Sequence, residues 1–151
     1  MQAIKPPHIY YEWVELLEAI KEKTDDNAVL NALRQGTVVW EPVIAERLTI
    51  ALFDSINSRI AEATERFRQD INRAGDQESQ IVRALLALRK EMGFLYSVTD
   101  LPAIPERERK HYCSLVRKNA DDIQKSLEDL AKTDRSGKTA SIVRNNRVNV
   151  F

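Results

Sequence analysis

The sequence predicts an all-α fold, a bundle of four or five antiparallel helices with one long central helix at about residues 41–74. Apolar residues recur three or four positions apart along most of the chain, which is the spacing of an amphipathic helix. Glycine and proline number only four and five among 151 residues, so the regular turn signals of a β-sandwich are missing. Charged residues make up 30% of the chain, enough to cover the outer faces of such helices.

The first part of the chain predicts two helices. Pro7 suits the first turn of a helix, and Trp13 and Ile20 lie among apolar residues at helical spacing. Residues 24–26 end this helix and cap a second, shorter one, which Gly36 terminates.

The longest predicted helix opens at Pro42. An unbroken apolar stripe runs along it: Ile44, Leu48, Leu52, Ile56, Ile60, Ala63, Phe67, Ile71 and Ala74. In the first half, Val43, Ile50 and Phe53 widen the apolar arc. That half is therefore expected to be buried centrally, whereas the narrower second half projects or packs on a single neighbour.

Two further helices complete the predicted bundle. One follows the turn at residues 75–76, and the other begins at Pro105. Their inner stripes are Ile81, Val82, Leu85, Leu86, Leu88, Met92 and Leu95 in the first, and Tyr112, Leu115, Val116, Ala120, Ile123, Leu127 and Leu130 in the second.

The chain changes character after Lys132, which predicts a helical domain at 1–132 and a short basic, non-helical tail at 133–151. The first part carries 19 basic and 22 acidic side chains, whereas the tail carries four basic and one acidic. Residues 142–144 and 147–150 flank Asn145 and Asn146, a pair that tolerates a tight turn. The tail is therefore expected to be a small hairpin or a disordered terminus.

Motifs for catalysis and cofactor binding are absent from the sequence. No two glycines are close enough for a phosphate-binding loop, and residues 136–139 match only the end of a Walker A motif, with Lys132 where the first glycine belongs. Residues 108–111 give one ExxH, but a di-metal bundle needs two and the chain has only two histidines. His111 and Cys113 lie two apart, on different faces of a helix. The sequence predicts no catalytic residue, no metal and no cofactor, and favours a protein that is not an enzyme.

Two sets of residues are candidates for binding. The first is a basic set for an anion or an acidic partner: Arg107, Lys110, Arg117, Lys118, Arg135, Lys138, Arg144 and Arg147. Neighbouring carboxylates offer the competing interpretation that this set is neutralised within the chain. The second is an interface set, in which Trp40 stands on a linker and the others suit strand addition or exchange in a dimer: Trp40, Val148, Val150 and Phe151.

Together these features predict a helical protein that acts through protein–protein contact, as an adaptor, regulatory or immunity-type partner, and that self-associates as a homodimer. The first alternative is weak binding of nucleic acid or another polyanion, which zero net charge disfavours. The second is an enzyme whose site the sequence does not reveal. A cytoplasmic location without membrane insertion is expected, because Cys113 is the only cysteine and the longest uncharged run, 92–99, is far too short to span a bilayer.

Overall fold

The computed structural model describes residues 4–22, 25–37 and 41–151, with the backbone alone for Ala45. In these ranges it contains six helices and no strand: α1 (Tyr10–Glu22), α2 (Asp26–Arg34), α3 (Pro42–Ala74), α4 (Glu78–Thr99), α5 (Glu106–Ala131) and α6 (Lys138–Asn145). The predicted all-α helical bundle is confirmed. None of these six helices combines the length and the apolar character that crossing a membrane requires.

The long central helix begins and ends where its sequence signals stand. Pro42 is the first residue of α3. The backbone N–H at this position has no partner within a helix, so proline, which lacks the N–H, costs no hydrogen bond there. Gly75 ends it with a φ of +55°, a left-handed conformation that glycine adopts without steric strain. The 33 residues between these signals form one continuous helix, about 50 Å long at 1.5 Å per residue.

The predictions of a non-helical tail and of a hairpin are wrong, because Lys138–Asn145 form α6. Ile142 and Val143 of this helix are buried. The β-branched residues that locally favour a strand are held in a helix by the apolar surface they cover, and packing outweighs local propensity.

Two compact units divide the chain, and α3, α4 and α5 each contribute residues to both. Unit 1 comprises Met1–Arg59 and Ser97–Cys113, and unit 2 comprises Ile60–Tyr96 and Ser114–Phe151. The domain boundary predicted at residue 132 stays a prediction.

In unit 1, α1 runs parallel to the first half of α3. The Ser55 hydroxyl donates to the carbonyl of Leu17 at 2.9 Å, and the Arg59 guanidinium donates to that of Ile20 at 2.9 Å. Between these helices lies an apolar core whose residual cavity is about 20 Å³, roughly the space of one water molecule. This cavity therefore has no room for a ligand larger than a water molecule.

The predicted first turn at Pro7 is wrong, since α1 begins at Tyr10. The Glu12 carboxylate accepts hydrogen bonds from the backbone amides of His8 and Ile9 at 3.1 and 3.3 Å. These two N–H groups, which precede the first turn of α1, therefore have an acceptor. The carbonyl of Pro7 instead accepts from the amide of Thr37 at 2.9 Å, which joins this segment to the end of α2.

Gly36 stands where this junction has no space for a side chain. A Cβ there would lie 2.7 Å from Cζ2 of Trp13 and 2.8 Å from Cγ of Pro7. The indole is fixed by its own hydrogen bond, Nε1 to the carbonyl of Thr37 at 3.0 Å, so it cannot easily yield.

Replacing Gly36 with alanine is therefore expected to lower the free energy of unfolding by about 1–3 kcal/mol, the usual effect of overpacking a rigid site. Urea denaturation followed by circular dichroism measures this. Gln35→Ala is the matched control, because its side chain is exposed one position earlier. Equal stability of Gly36→Ala and Gln35→Ala would contradict the steric explanation.

The core of unit 2 is built from four segments, and the last of them is the region that the sequence predicts as a tail. Its fully or nearly fully buried members are Ala63, Leu85, Leu88, Met92, Ala120, Ile142 and Val148. Gln124, itself 1% exposed, fixes the end of this region by accepting from the amide of Val148 at 3.0 Å and donating to the carbonyl of Val143 at 3.5 Å. Residues 138–148 are thus an integral part of unit 2.

Candidate functional site

Three large apolar side chains stand exposed on one side of α3 in unit 1. Val43 and Ile50 are each 61% exposed and Phe53 is 44% exposed. They lie seven and three residues apart, which places them along one face of the helix. The expectation that these residues widen a buried arc is therefore wrong, because Leu48 and Leu52 already occupy the buried side.

Charged and polar side chains flank these three residues on the same surface. We call the whole surface the α3 outer face and define it by Val43, Glu46, Arg47, Ile50, Phe53, Asp54 and Asn57. Among the described residues Glu46 and Arg47 form no ion pair, whereas Asp54 is paired with Lys21 of α1. An apolar stripe between open charges of both signs is the composition of a helix-pairing surface.

Phe53 is backed by a buried aromatic side chain of α5. The ring centroids of Phe53 and Tyr112 are 6.2 Å apart, at an interplanar angle of 49°. Burial raises the pKa of the Tyr112 phenol, against the opposing effect of a hydrogen bond with Thr49, and the nearby Glu108 carboxylate raises it further. The phenol therefore stays neutral across the physiological range and gives Phe53 a fixed support.

Half of the basic candidate set has a partner within the chain. Three members form ion pairs: Lys110 with Glu106 at 3.0 Å, Lys138 with Glu78 at 3.4 Å and Arg147 with Glu128 at 3.3 Å. Arg117 lies over two aromatic rings of unit 2, 5.0 Å from the centroids of Tyr96 and Phe151. The others form no ion pair with a described residue: Arg107, Lys118, Arg135 and Arg144.

The interface candidates have different surroundings. Val148 is fully buried in unit 2, so it is a core residue and is not open to a partner in this fold. Val150 and Phe151 remain 55% and 38% exposed. Trp40 lies outside the described residues.

Residues 134–139 form the start of α6 and not a phosphate loop. The Asp134 carboxylate accepts from the amide of Ser136 at 3.1 Å and from that of Thr139 at 3.0 Å. The Ser136 hydroxyl accepts from the amide of Lys138 at 3.3 Å. A helix does follow the Walker-like residues, contrary to expectation, but its first amides are occupied by the chain's own side chains.

The same contacts predict a pH dependence for α6. Hydrogen bonds from the hydroxyl and amide of Thr139, then from those of Ser136, hold the pKa of Asp134 well below its usual range. A depressed pKa in the folded state contributes stability that is present above the unfolded value of about 3.9 and is lost as the pH falls below it.

Protection of the Ser141 amide, which donates to Gly137 in the first turn, is expected to fall between about pH 5 and pH 2 in the wild type. In Asp134→Asn it should be lower at pH 5 and change less. Hydrogen exchange measures this, with Asp129→Asn as the control outside the cap. An identical pH profile for the wild type and Asp134→Asn would refute the assigned role.

Groups suited to nucleophilic or metal chemistry do not converge. The Cys113 sulfur lies 3.1 Å from the hydroxyl of Thr99, and the His8 ring is 2.8 Å from that of Thr37. Within the described ranges no three histidine, cysteine or carboxylate side chains are grouped as metal ligands would be.

A groove in unit 2 holds basic residues that sequence reasoning missed. It measures about 350 Å³ and is lined by Asp70, Arg73, Gln80, Arg83, Ala84 and Ala87. Arg73 and Arg83 stand on different helices ten positions apart, so no local spacing signals them. Asp70 lowers the positive charge of this lining, and we assign the groove no ligand.

Comparison with protein-family models, with curated proteins and with solved structures finds no match for this chain. The α3 outer face is therefore selected on geometry alone. It is the surface in unit 1 where large apolar side chains and open charges share one helix face.

Proposed function

We propose that this chain is a non-enzymatic helical protein that acts through protein–protein contact, in an adaptor, regulatory or immunity-type role. The α3 outer face is its contact surface. The observation that carries the proposal is the exposure of Val43, Ile50 and Phe53 on one side of one helix. Grouped apolar residues on a surface mark an interaction site far more often than single ones do.

The energetics of the face support this role. Fully burying an aliphatic or phenyl side chain contributes about 1.5–3 kcal/mol, so a partner that covers three of them gains a useful share of binding energy. Phe53 is a suited anchor, because Tyr112 already contacts its ring on one side and so lowers the side-chain entropy that binding costs. Glu46 and Arg47 are then available to fix the orientation of the partner.

Binding of nucleic acid or another polyanion receives less support. Four of the eight basic candidates already contact carboxylates or aromatic rings within their own unit. If the remaining residues bind a polyanion, the affinity is weak and falls steeply with added salt. A cytoplasmic location is part of our proposal and rests on the single cysteine.

Site-specific photo-crosslinking in the source cell tests the contact surface. Benzoylphenylalanine placed at Val43 should give a discrete crosslinked protein, and the second substitution Ile50→Glu should abolish it by placing a charge in the interface. The same probe at Gln69, an exposed position of α3 in unit 2, is the control. Identical adducts from both positions, or adducts that survive Ile50→Glu, would refute the proposal.

A further inference from the structure

Four residues of the α3 outer face form a nearly palindromic pattern. Ile50 and Phe53 form its apolar centre, Glu46 lies four residues before Ile50, and Asn57 lies four residues after Phe53. Along the helix in either direction, a polar side chain is followed one turn later by a large apolar one: Glu46 and then Ile50 from the N-terminal side, Asn57 and then Phe53 from the C-terminal side. Such a pattern matches itself when one copy is turned end to end.

We propose that the α3 outer face binds the same face of a second copy of this chain, with the two α3 helices antiparallel about a two-fold axis between residues 51 and 52. The inference rests on the proposed function, since it names the partner of that surface. The α3 outer face is complementary to itself, as the contact surface of a closed two-fold dimer must be.

The apolar centre is matched in this arrangement. Ile50 of one copy lies opposite Phe53 of the other, and the two-fold axis repeats the pair. Glu46 lies opposite Asn57, whose side-chain amide donates to the carboxylate. Both polar residues are exposed in the single chain. Because each supplies the hydrogen-bonding partner of the other in the dimer, the pairing leaves neither side chain buried without a partner.

The flanking charges are matched as well. Arg47 and Asp54 are seven residues apart and lie on the same flank of the face. In an antiparallel pair this flank meets the same flank of the second copy, which sets Arg47 twice against Asp54, a carboxylate that also pairs with Lys21 of its own copy. The offset along the axis is about 3 Å, which an arginine side chain spans.

The parallel two-fold arrangement is disfavoured by the same residues. An in-register parallel pair sets Glu46 against Glu46 beside the apolar centre. It also brings the flank that carries Arg47 and Asp54 against the opposite flank of the partner, so both Arg47–Asp54 contacts are lost. Like charges in contact destabilise a helix pair and are the usual means of selecting orientation. The charges therefore select the antiparallel dimer.

A contact confined to this face is small beside a standard protein interface, so the dimer is weak and concentration-dependent. Sedimentation equilibrium of the full chain from about 10 µM to about 1 mM should show a reversible monomer–dimer equilibrium. Arg47→Asp and Asp54→Arg should each raise the dissociation constant about tenfold or more, because each sets like charges against each other twice.

The double variant R47D/D54R should restore the dissociation constant to within about threefold of the wild type, because the ion pairs re-form with exchanged signs. Arg66→Asp, on an exposed part of α3 away from the face, controls for net charge. Asp54→Arg also replaces the contact with Lys21 by a repulsion between like charges, at a pair whose side chains are 26% and 63% exposed, so circular dichroism and urea denaturation check that the fold is unchanged.

Two results would overturn parts of the proposed dimer. A dimer that the double variant does not restore overturns the antiparallel arrangement. A chain that stays monomeric at about 1 mM overturns self-pairing altogether. The proposed function is judged separately, since a crosslink from position 43 to a different protein, lost in Ile50→Glu, would uphold the contact surface while the second copy is rejected as its partner.

Discussion

Replacing Arg59 with alanine is expected to lower the free energy of unfolding by about 3–5 kcal/mol, the range for breaking a buried charged pair. The Arg59 side chain is 1% exposed. Its Nη1 donates to the carbonyl of Ile20 at 2.9 Å and to Asp26 Oδ1 at 3.0 Å, and its Nη2 donates to Asp26 Oδ2 at 2.6 Å. One guanidinium thus joins the end of α1, the start of α2 and the middle of α3.

The loss has two sources. Truncation leaves a cavity where the side chain was, and it leaves the buried carbonyl of Ile20 without this donor. Asp26 is 34% exposed and recovers solvation, which keeps the effect at the lower end of the range. Urea denaturation of the full chain measures the change.

Arg66→Ala is the matched control for Arg59→Ala. Arg66 is also an α3 arginine paired with a carboxylate, Glu62 at 3.4 Å, but both side chains are about half exposed. An exposed pair contributes little, so its removal should change the free energy of unfolding by less than about 1 kcal/mol. Equal losses in the two variants would show that burial of Arg59 is not what gives the pair its strength.

The second large effect is expected from Gln124→Leu, at about 2–4 kcal/mol. Leucine has a similar volume, so the change tests hydrogen bonding more than packing. It removes the acceptor of the Val148 amide and the donor to the carbonyl of Val143 in a buried setting. In this variant the backbone amide of Val148 should exchange with solvent at earlier times than the amides of α4.

Gln69→Leu provides the comparison for Gln124→Leu. Gln69 is an exposed α3 residue whose side-chain amide donates to Glu65 at 3.3 Å. Its replacement should alter the free energy of unfolding by less than about 0.5 kcal/mol. If Val148 remains protected in Gln124→Leu, the buried glutamine is not what holds the end of unit 2.

The bounds of the long helix could be predicted from the sequence because its signals are local. Pro42 and Gly75 act through their own backbone geometry, and the stripe between them needs only a period near 3.6. The side of α3 that faces the core could not be predicted where both sides are apolar. Val43 and Ile50 are as hydrophobic as Leu48, and the segments that pack on this part of α3, namely α1 and residues 101–104, decide between them.

The α3 outer face could not be predicted for the same reason. A sequence does not show which apolar side of a helix is left uncovered by the rest of the fold. Arg59 gave no signal either, because a buried arginine has the same sequence context as a solvent-facing one until Ile20 and Asp26 are placed beside it. In α6, the residues after Ser141 favour a strand locally, and only contact with distant segments makes them helical.

The composition of unit 2 bears on how the chain folds as it is synthesised. Its core joins Ala63 of α3 to Val148, and the residues in between include a segment that belongs to unit 1. Unit 1 has all its parts once Cys113 has emerged from the ribosome, whereas unit 2 lacks part of its core until Val148 has been added. During that interval Met92 and Ala120 have no α6 region to cover them. Apolar surface that is exposed in this interval favours aggregation of the nascent chain.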